Sequence, residues 1–257
     1  MTSGSRTAAQ KLNADVRWDT FDPGEYIKRN YLEIQPVDRQ ILSLVRDHFR
    51  DHFKGREGRV PAGVDVGAGP NLYPALAMLP WCDEITLLER SKANLAYLDG
   101  QLSGYDANWD QFWEVLREKP EYAGIGDPRA RFQEAVQQPL RGSLFDLCGK
   151  EPRWHLGTMF FVAESITTSF TEFQRGVGCF MSSLHGGAPF AAAFMEHSEG
   201  YRVGSQEFPA RDIDADDVRS ALKDYAEGVT YHRMANPKQL VRTGYTGMIL
   251  ACGRRRA

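Results

Sequence analysis

Between Val64 and Leu76 the chain reads VDVGAGPNLYPAL, and about twenty residues past its glycines the stretch EITLLE ends on Glu89. A strand that runs into Gly-x-Gly and then into a helix lets backbone approach a nucleotide-like ligand, because Gly67 and Gly69 have no Cβ to block it. A dinucleotide turn adds a third glycine and a free helix N-terminus for the pyrophosphate. Here Pro70, Asn71, Leu72 and Tyr73 follow instead, a bulky turn poorly suited to a diphosphate. An acid at the end of the next strand can reach across the crevice and accept hydrogen bonds from both hydroxyls of a ribose. Each feature alone is weak, since a strand-end acid is often only a solvated charge. Together, a glycine turn without a phosphate site and a ribose acid describe a pocket for S-adenosylmethionine better than one for NAD. An NAD-dependent oxidoreductase is the lesser alternative.

These residues need strands and helices in alternation to hold them, and the pattern supplies that order. EYIKRNYLEI and VDRQILSLVRDHFRDHF space their apolar residues at helical intervals and are split near Pro36. VPAGVDVGAG reads as a strand, LYPALAML as a helix, EITLLE as a strand, and a helix follows from Ser91, a good N-cap. The segment from Ser103 to Arg153 is read as helix, short strand around RARFQEAV, and helix. TMFFVAES, GGAPFAAAFME, VTYHRMA and YTGMILACGR read as strands, with helices over FTEFQRGVGCFMSSL and DADDVRSALKDYAEG. The predicted fold is a single α/β, Rossmann-like doubly wound domain. It has about seven strands, mostly parallel with an antiparallel edge hairpin, and an N-terminal helical lid. Residues 1–20 are expected to be mobile, 21–55 to form the lid and 60–257 the core.

Composition narrows the function class. Lys+Arg 31 against Asp+Glu 34 gives a net charge of −3, too balanced for a nucleic-acid footprint. No apolar run reaches a membrane span and MTSGSRTAAQKLNADVRWD lacks an apolar signal core, so a cytoplasmic protein is expected. Cys82, Cys148, Cys179 and Cys252 show no metal-ligand spacing, and free thiols and no metal are expected.

Four segments, FDPGEYIKRNYLEIQP, DVGAGPNLYPAL, ITLLERSKANLAYL and YRVGSQEFPARDIDADDVRSAL, carry a resemblance to the small-molecule N-methyltransferase family. That family includes the nicotinamide, phenylethanolamine and indolethylamine N-methyltransferases. The resemblance runs from about Phe21 to the C-terminus and is weakest between Ser103 and Arg153; the Ala- and Arg-rich composition suits a bacterial member. It implies S-adenosylmethionine as cofactor and S-adenosylhomocysteine as product. It further implies that Tyr26 and Tyr31 close over the methionine end, that Gly67, Gly69 and Tyr73 lie beside it, and that Glu89 and Asn94 serve the ribose. Glu134 takes the adenine-side acidic position, and Ala163 with Glu164 ends the fourth strand at the sulfonium side. From spacing alone, Tyr26 and Tyr31 could equally be core aromatics, and Trp109, Phe112 and Trp113 are better read as a helix face than as a substrate site.

The acceptor segment departs from the nicotinamide binders. Ala210 stands at one serine position, and Phe194 or, with a gap, Glu196 stands at the aspartate position, which makes nicotinamide an unsuitable substrate. Tyr201 and Phe208 match aromatic positions that sandwich an acceptor ring. The expected acceptor is therefore a small molecule, an amine or an aromatic ring, methylated at nitrogen, with an indole-type C- or N-methylation in natural-product biosynthesis as the second choice. A catalytically silent cofactor-binding homologue is the alternative of another class. Glu164 and Glu196 are the carboxylates expected nearest the methyl, ahead of His197 and His232.

Overall fold

Local signals set most element boundaries. In the computed structural model, which describes residues 10–235 and 243–257, Asp22 caps helix α1 (Pro23–Asn30) by accepting from the Glu25 amide. Pro36 opens α2 (Pro36–Phe53), which buries Ile41, Leu42, Val45, Phe49 and Phe53 on one stripe. The apolar run to Val66 forms β1 (Val60–Val66), followed after the glycines by α3 (Tyr73–Met78) and β2 (Cys82–Glu89). Ser91 caps α4 (Lys92–Gln101) through its hydroxyl. Next come α5 (Asp110–Leu116), α6 (Pro120–Ala123), α7 (Pro128–Ala135), β3 (Leu140–Arg141), β4 (Leu156–Phe160), α8 (Phe170–Ser182) and β5 (Pro189–Glu196). The chain finishes with β6 (Gly200–Val203), β7 (Gln206–Pro209), α9 (Ala215–Leu222), β8 (Ala226–Ala235) and β9 (Gly247–Arg255).

Seven strands form one sheet in the order β3-β2-β1-β4-β5-β9-β8. The first five are parallel, and β9 is antiparallel to both of its neighbours. This is the expected mixed sheet with a terminal hairpin at its edge. Strand order reverses between β1 and β4, and in open α/β sheets the crevice beyond the carboxyl ends at such a reversal is where ligands bind. β6 and β7 pair as a separate hairpin above that end. Trp109, Phe112 and Trp113 are core residues, the first two packed against Tyr31 and Tyr73 and Trp113 against Tyr122.

Two expectations are corrected. RARFQEA is helical, within α7, because Asp127 and Pro128 make a cap and first turn that override the apolar spacing, and only Val136 beyond it makes an isolated parallel bridge, to Ile85. The strand on that edge is instead the two-residue β3, paired with Leu88 and Glu89. Cys148 and Cys179, expected as free thiols, are joined in a disulfide with Cα atoms 4.5 Å apart, while Cys82 and Cys252 are free and buried. Of the polar leader expected to be mobile, residues 1–9 lie outside the described residues, and residues 10–20 are placed against the core. Short 3₁₀ turns at Asn13–Asp15 and Trp18–Thr20 lay it as a strap across the carboxyl end of the sheet. Lys11 exchanges two hydrogen bonds with Thr168, the Asn13 amide donates to Glu172 Oε2, and the Lys92 amide donates to Asp19.

Candidate cofactor and acceptor site

Beyond the carboxyl ends of β1, β2 and β4 lies a cavity of about 760 Å³. Its floor is the glycine turn. Gly67 sits at φ +67° directly above Val162, and a Cβ there would lie 2.7 Å from both Val162 methyls. The close approach and the left-handed backbone together explain why this position is glycine. Gly69 has φ +56°, and its amide donates to Glu89 Oε2 at 2.8 Å.

Glu89, at the end of β2, is buried and lines the cavity. Its Oε1 accepts from the Ser91 amide at 2.6 Å. Burial pushes its carboxyl above the ordinary range, opposed by hydrogen bonds from the Ser91 and Gly69 amides and the Asn94 side chain. The Gly69 and Ser91 amides each donate to a different oxygen and hold the Glu89 carboxylate in place at the cavity wall. Asn94 also lines the cavity, and its buried Oδ1 has no hydrogen-bond partner within the protein. Fixed acceptors beside an amide oxygen in want of a donor fit a ligand that brings hydroxyl groups.

Tyr26 and Tyr31 line the opposite wall, edge-to-face with ring centres 5.7 Å apart. Tyr31 is fully enclosed by Tyr26, Tyr73, Trp109 and Phe112. Burial, reinforced by neighbouring Tyr26, Tyr73 and Asp38, holds its phenol well above its ordinary pKa. Tyr73 lies one layer deeper, stacked flat on Phe112 with its hydroxyl donating to Asp38, and does not line the cavity. Buried Asp38 is pushed up to about 7 by desolvation.

The two expected catalytic carboxylates face elsewhere. β4 ends at Phe160, not at VAES. Phe161 takes a left-handed turn, φ 61°, and Phe160, Phe161 and Val162 line the cavity in place of fully buried Ala163. The turn sends Glu164 inward, where Oε1 accepts from the Met195 amide at 3.0 Å and the Ser165 hydroxyl at 2.9 Å. It thereby pairs an amide of β5 just beyond the last residue that β4 reaches. Glu196 is held in a bidentate pair by Arg233, at 2.6 and 2.8 Å, and accepts from Thr246 at 2.6 Å. Burial acts to raise its pKa, but the Arg233 and Thr246 hydrogen bonds prevail and hold the carboxyl below the ordinary range. Phe194 packs on Phe173 in the core. Neither position therefore brings the family's acceptor-side aspartate into this cavity. His197 is turned to Asp212 at 2.8 Å, and neither it nor His232 lines the cavity.

Glu134 is also relocated. It stands on the exposed side of α7, paired with Arg131, because the stretch around it is a helix and not a strand end. Gly142, Ser143 and Leu144, just past β3, occupy that wall instead. Tyr201 lines the cavity, stacked on Phe208 with ring centres 5.4 Å apart, while Phe208 backs it and stacks on Trp18.

The strap supplies residues that sequence reading missed. Asn13, 4% exposed, lines the cavity; its Nδ2 donates to Ser143 Oγ and its Oδ1 accepts from the Trp18 indole. Arg90 donates to the Asn13 carbonyl. Trp18 and Phe21 line the cavity as well, and with Phe208 and Val203 they form a small separate core. Arg90 could have been suspected as the neighbour of Glu89, but nothing local marks Asn13.

Comparison with known proteins agrees with this geometry. Residues 10–256 match the NNMT/PNMT/TEMT family. The chain belongs to that family. It is an S-adenosylmethionine-dependent methyltransferase, and S-adenosylmethionine is its cofactor. No curated protein sequence matches it. Among solved structures, the fold is similar to the N-methyltransferase NodS from Bradyrhizobium japonicum WM9 in complex with S-adenosylhomocysteine. That match has 12% identity and a TM-score of 0.51, covering 94% of this chain and 96% of that one. It is also similar to the Burkholderia thailandensis 1,6-didemethyltoxoflavin-N1-methyltransferase, with 14% identity and a TM-score of 0.51 over 86% and 80%. An S-adenosylmethionine-dependent methyltransferase from Leishmania major matches with 12% identity and a TM-score of 0.53 over 93% and 80%. Among the described residues no helix is long and apolar enough to cross a membrane, and no cluster of metal-ligating side chains occurs.

Proposed function

We propose that this NNMT/PNMT/TEMT family member methylates a nitrogen of a flat, aromatic small molecule held between Tyr26 and Tyr201. The supporting observation is one cavity with two chemistries. Glu89, Asn94 and the Gly67–Gly69 turn offer acceptors and bare backbone on one side, and tyrosine rings line the other. When bound, S-adenosylmethionine supplies an electrophilic methyl on a sulfonium, and its transfer is a displacement that loses charge. Glu89 would hold the ribose hydroxyls, with Asn94 beside it. Tyr26, Tyr31, Trp18 and Phe21 would exclude water and orient the acceptor.

Because Glu164 and Glu196 are committed to Met195 and Arg233, the site offers no strong base from either. A pyridine-type ring nitrogen, which already exposes a lone pair, suits it better than a protonated alkylamine that must first lose a proton. Within this reading residues 21–55 act as a lid that tightens on binding.

The test is an acceptor screen with purified protein, scored by S-adenosylhomocysteine release and by a product about 14 m/z above the protonated acceptor, one CH₃ in place of the proton. Conversion of an aromatic nitrogen acceptor, with Glu164→Gln and Glu196→Gln retaining turnover, is the expected result. Exclusive methylation of alkylamines, with loss of turnover in Glu164→Gln, would overturn it. Hydrogen exchange over residues 21–55 should slow when S-adenosylhomocysteine is added, and equal exchange would remove the lid.

A further inference from the structure

A second cleft, of about 650 Å³, opens between α1 and the β6–β7 hairpin and shares Tyr26 and Tyr201 with the cofactor cavity. Its inner end is apolar: Met195 is buried at its base, and Tyr201 is held face-on by Phe208, with an interplanar angle of 24°. Among the described residues, its outer end carries two guanidinium groups, Arg29 from α1 and Arg202 from β6, and one lining carboxylate, Glu25.

We propose that this cleft is the acceptor entrance and that the acceptor carries a carboxylate on the end remote from the methylated atom. The inference rests on the methyltransferase reading above. A flat ring entering here would lie between Tyr26 and Tyr201 with its tail at the mouth, where planar guanidinium forks match a carboxylate bidentately. Arg202 pairs with Glu207 across the hairpin at 2.6 Å, but both side chains are exposed. Such pairs hold weakly, and a guanidinium has five donors, so this contact does not occupy it.

The inner end argues in the same direction. An alkylammonium at the Tyr26 and Tyr201 junction would find the two nearby buried acids already engaged, Glu164 with the Met195 amide and Glu196 with Arg233. Glu25 lies one helical turn from Arg29 on α1, so an ammonium beside the carboxylate on the same tail is accommodated. Aromatic amino acids therefore fall within the class.

The experiment uses the full chain saturated with S-adenosylhomocysteine. Benzene, pyridine, indole and quinoline rings are each supplied as a carboxylate-tailed and an amine-tailed derivative, and affinity is read by ligand-observed NMR and calorimetry. Carboxylates should bind about tenfold more tightly than their matched amines, the scale of one charge-assisted hydrogen bond. The preference should vanish in Arg29→Gln/Arg202→Gln and be partly restored with lysine at both positions, and melting should be unchanged because both side chains are exposed. Equal or tighter binding of the amines, binding by none of the carboxylates, or a preference that survives the double variant would each overturn the proposal. Failure of S-adenosylhomocysteine itself to bind would instead strike the reading on which it rests.

Discussion

Replacing Glu89 by Gln changes little volume but tests the central assignment. The carboxylate accepts from the Gly69 amide with one oxygen and from the Ser91 amide with the other. An amide side chain keeps one oxygen and turns an NH₂ toward the other donor, leaving one buried backbone N–H unpaired at a cost of about 1–3 kcal/mol. For a domain of this size each kcal/mol lowers Tm by roughly 2–4 °C. Part of that loss is offset: the folded pKa of Glu89 is raised, so the ionised form costs stability above the unfolded value, and Gln carries no charge. The effect on ligand is larger. A hydrogen bond to a charged acceptor contributes about 1.5–3 kcal/mol, so losing the acceptor for even one ribose hydroxyl should weaken S-adenosylhomocysteine on the order of a hundredfold. Isothermal titration alongside a thermal melt separates the two effects. Affinity within about threefold of wild type, less than 1 kcal/mol, would refute the ribose role of Glu89.

Gly67→Ala should destabilise by about 1–3 kcal/mol from the positive φ alone, with the Val162 contact adding to it, and a urea midpoint essentially unchanged would contradict the close approach. Asp65, 1% exposed, accepts from Thr158, and desolvation pushes it up to about 8. The unfolded chain releases this proton near pH 4 while the folded protein keeps it, so wild-type stability should fall as pH rises between about 4 and 8. Asp65→Asn removes that slope, and its Tm relative to wild type should rise across the window; parallel Tm profiles would argue against a protonated Asp65. The Cys148–Cys179 bond closes a loop of 31 residues, for which chain entropy gives about 3–4 kcal/mol. Cys179→Ser should melt earlier by a comparable amount under non-reducing conditions, and two further titratable thiols in native wild type would show the bond unformed.

The parts of the site that were legible in the sequence are those whose physics is local. A glycine turn after a β-branched strand and an acid at the end of the next strand are fixed by backbone sterics and strand period, and Gly67, Gly69, Glu89 and Asn94 all meet in one cavity. Orientation set by distant partners was not legible. Glu164 turns inward because the Met195 amide, thirty-one residues away, needs an acceptor beyond the end of β4. Glu196 is taken up by Arg233 on β8 and Thr246 just before β9, which only the folded sheet brings together. A two-residue β3 is too short to show alternation, so the wall at Ser143 was assigned instead to Glu134 in a helix. Tyr201 and Phe208 of the β6–β7 hairpin were legible only through the family resemblance, and Asn13, which reaches them through Trp18, carries no signal by itself.

The strap from Asn13 to Phe21 binds the Ser143 wall at one end and the acceptor hairpin at the other. Departure of spent cofactor and dismantling of the acceptor's own wall are then a single motion. The expected consequence is an ordered turnover, with cofactor entering first and its product leaving last, which product-inhibition kinetics would check. It also makes the two ligands mutual stabilisers. An acceptor analogue that braces the hairpin should tighten S-adenosylhomocysteine, and by linkage S-adenosylhomocysteine should tighten the analogue by the same factor.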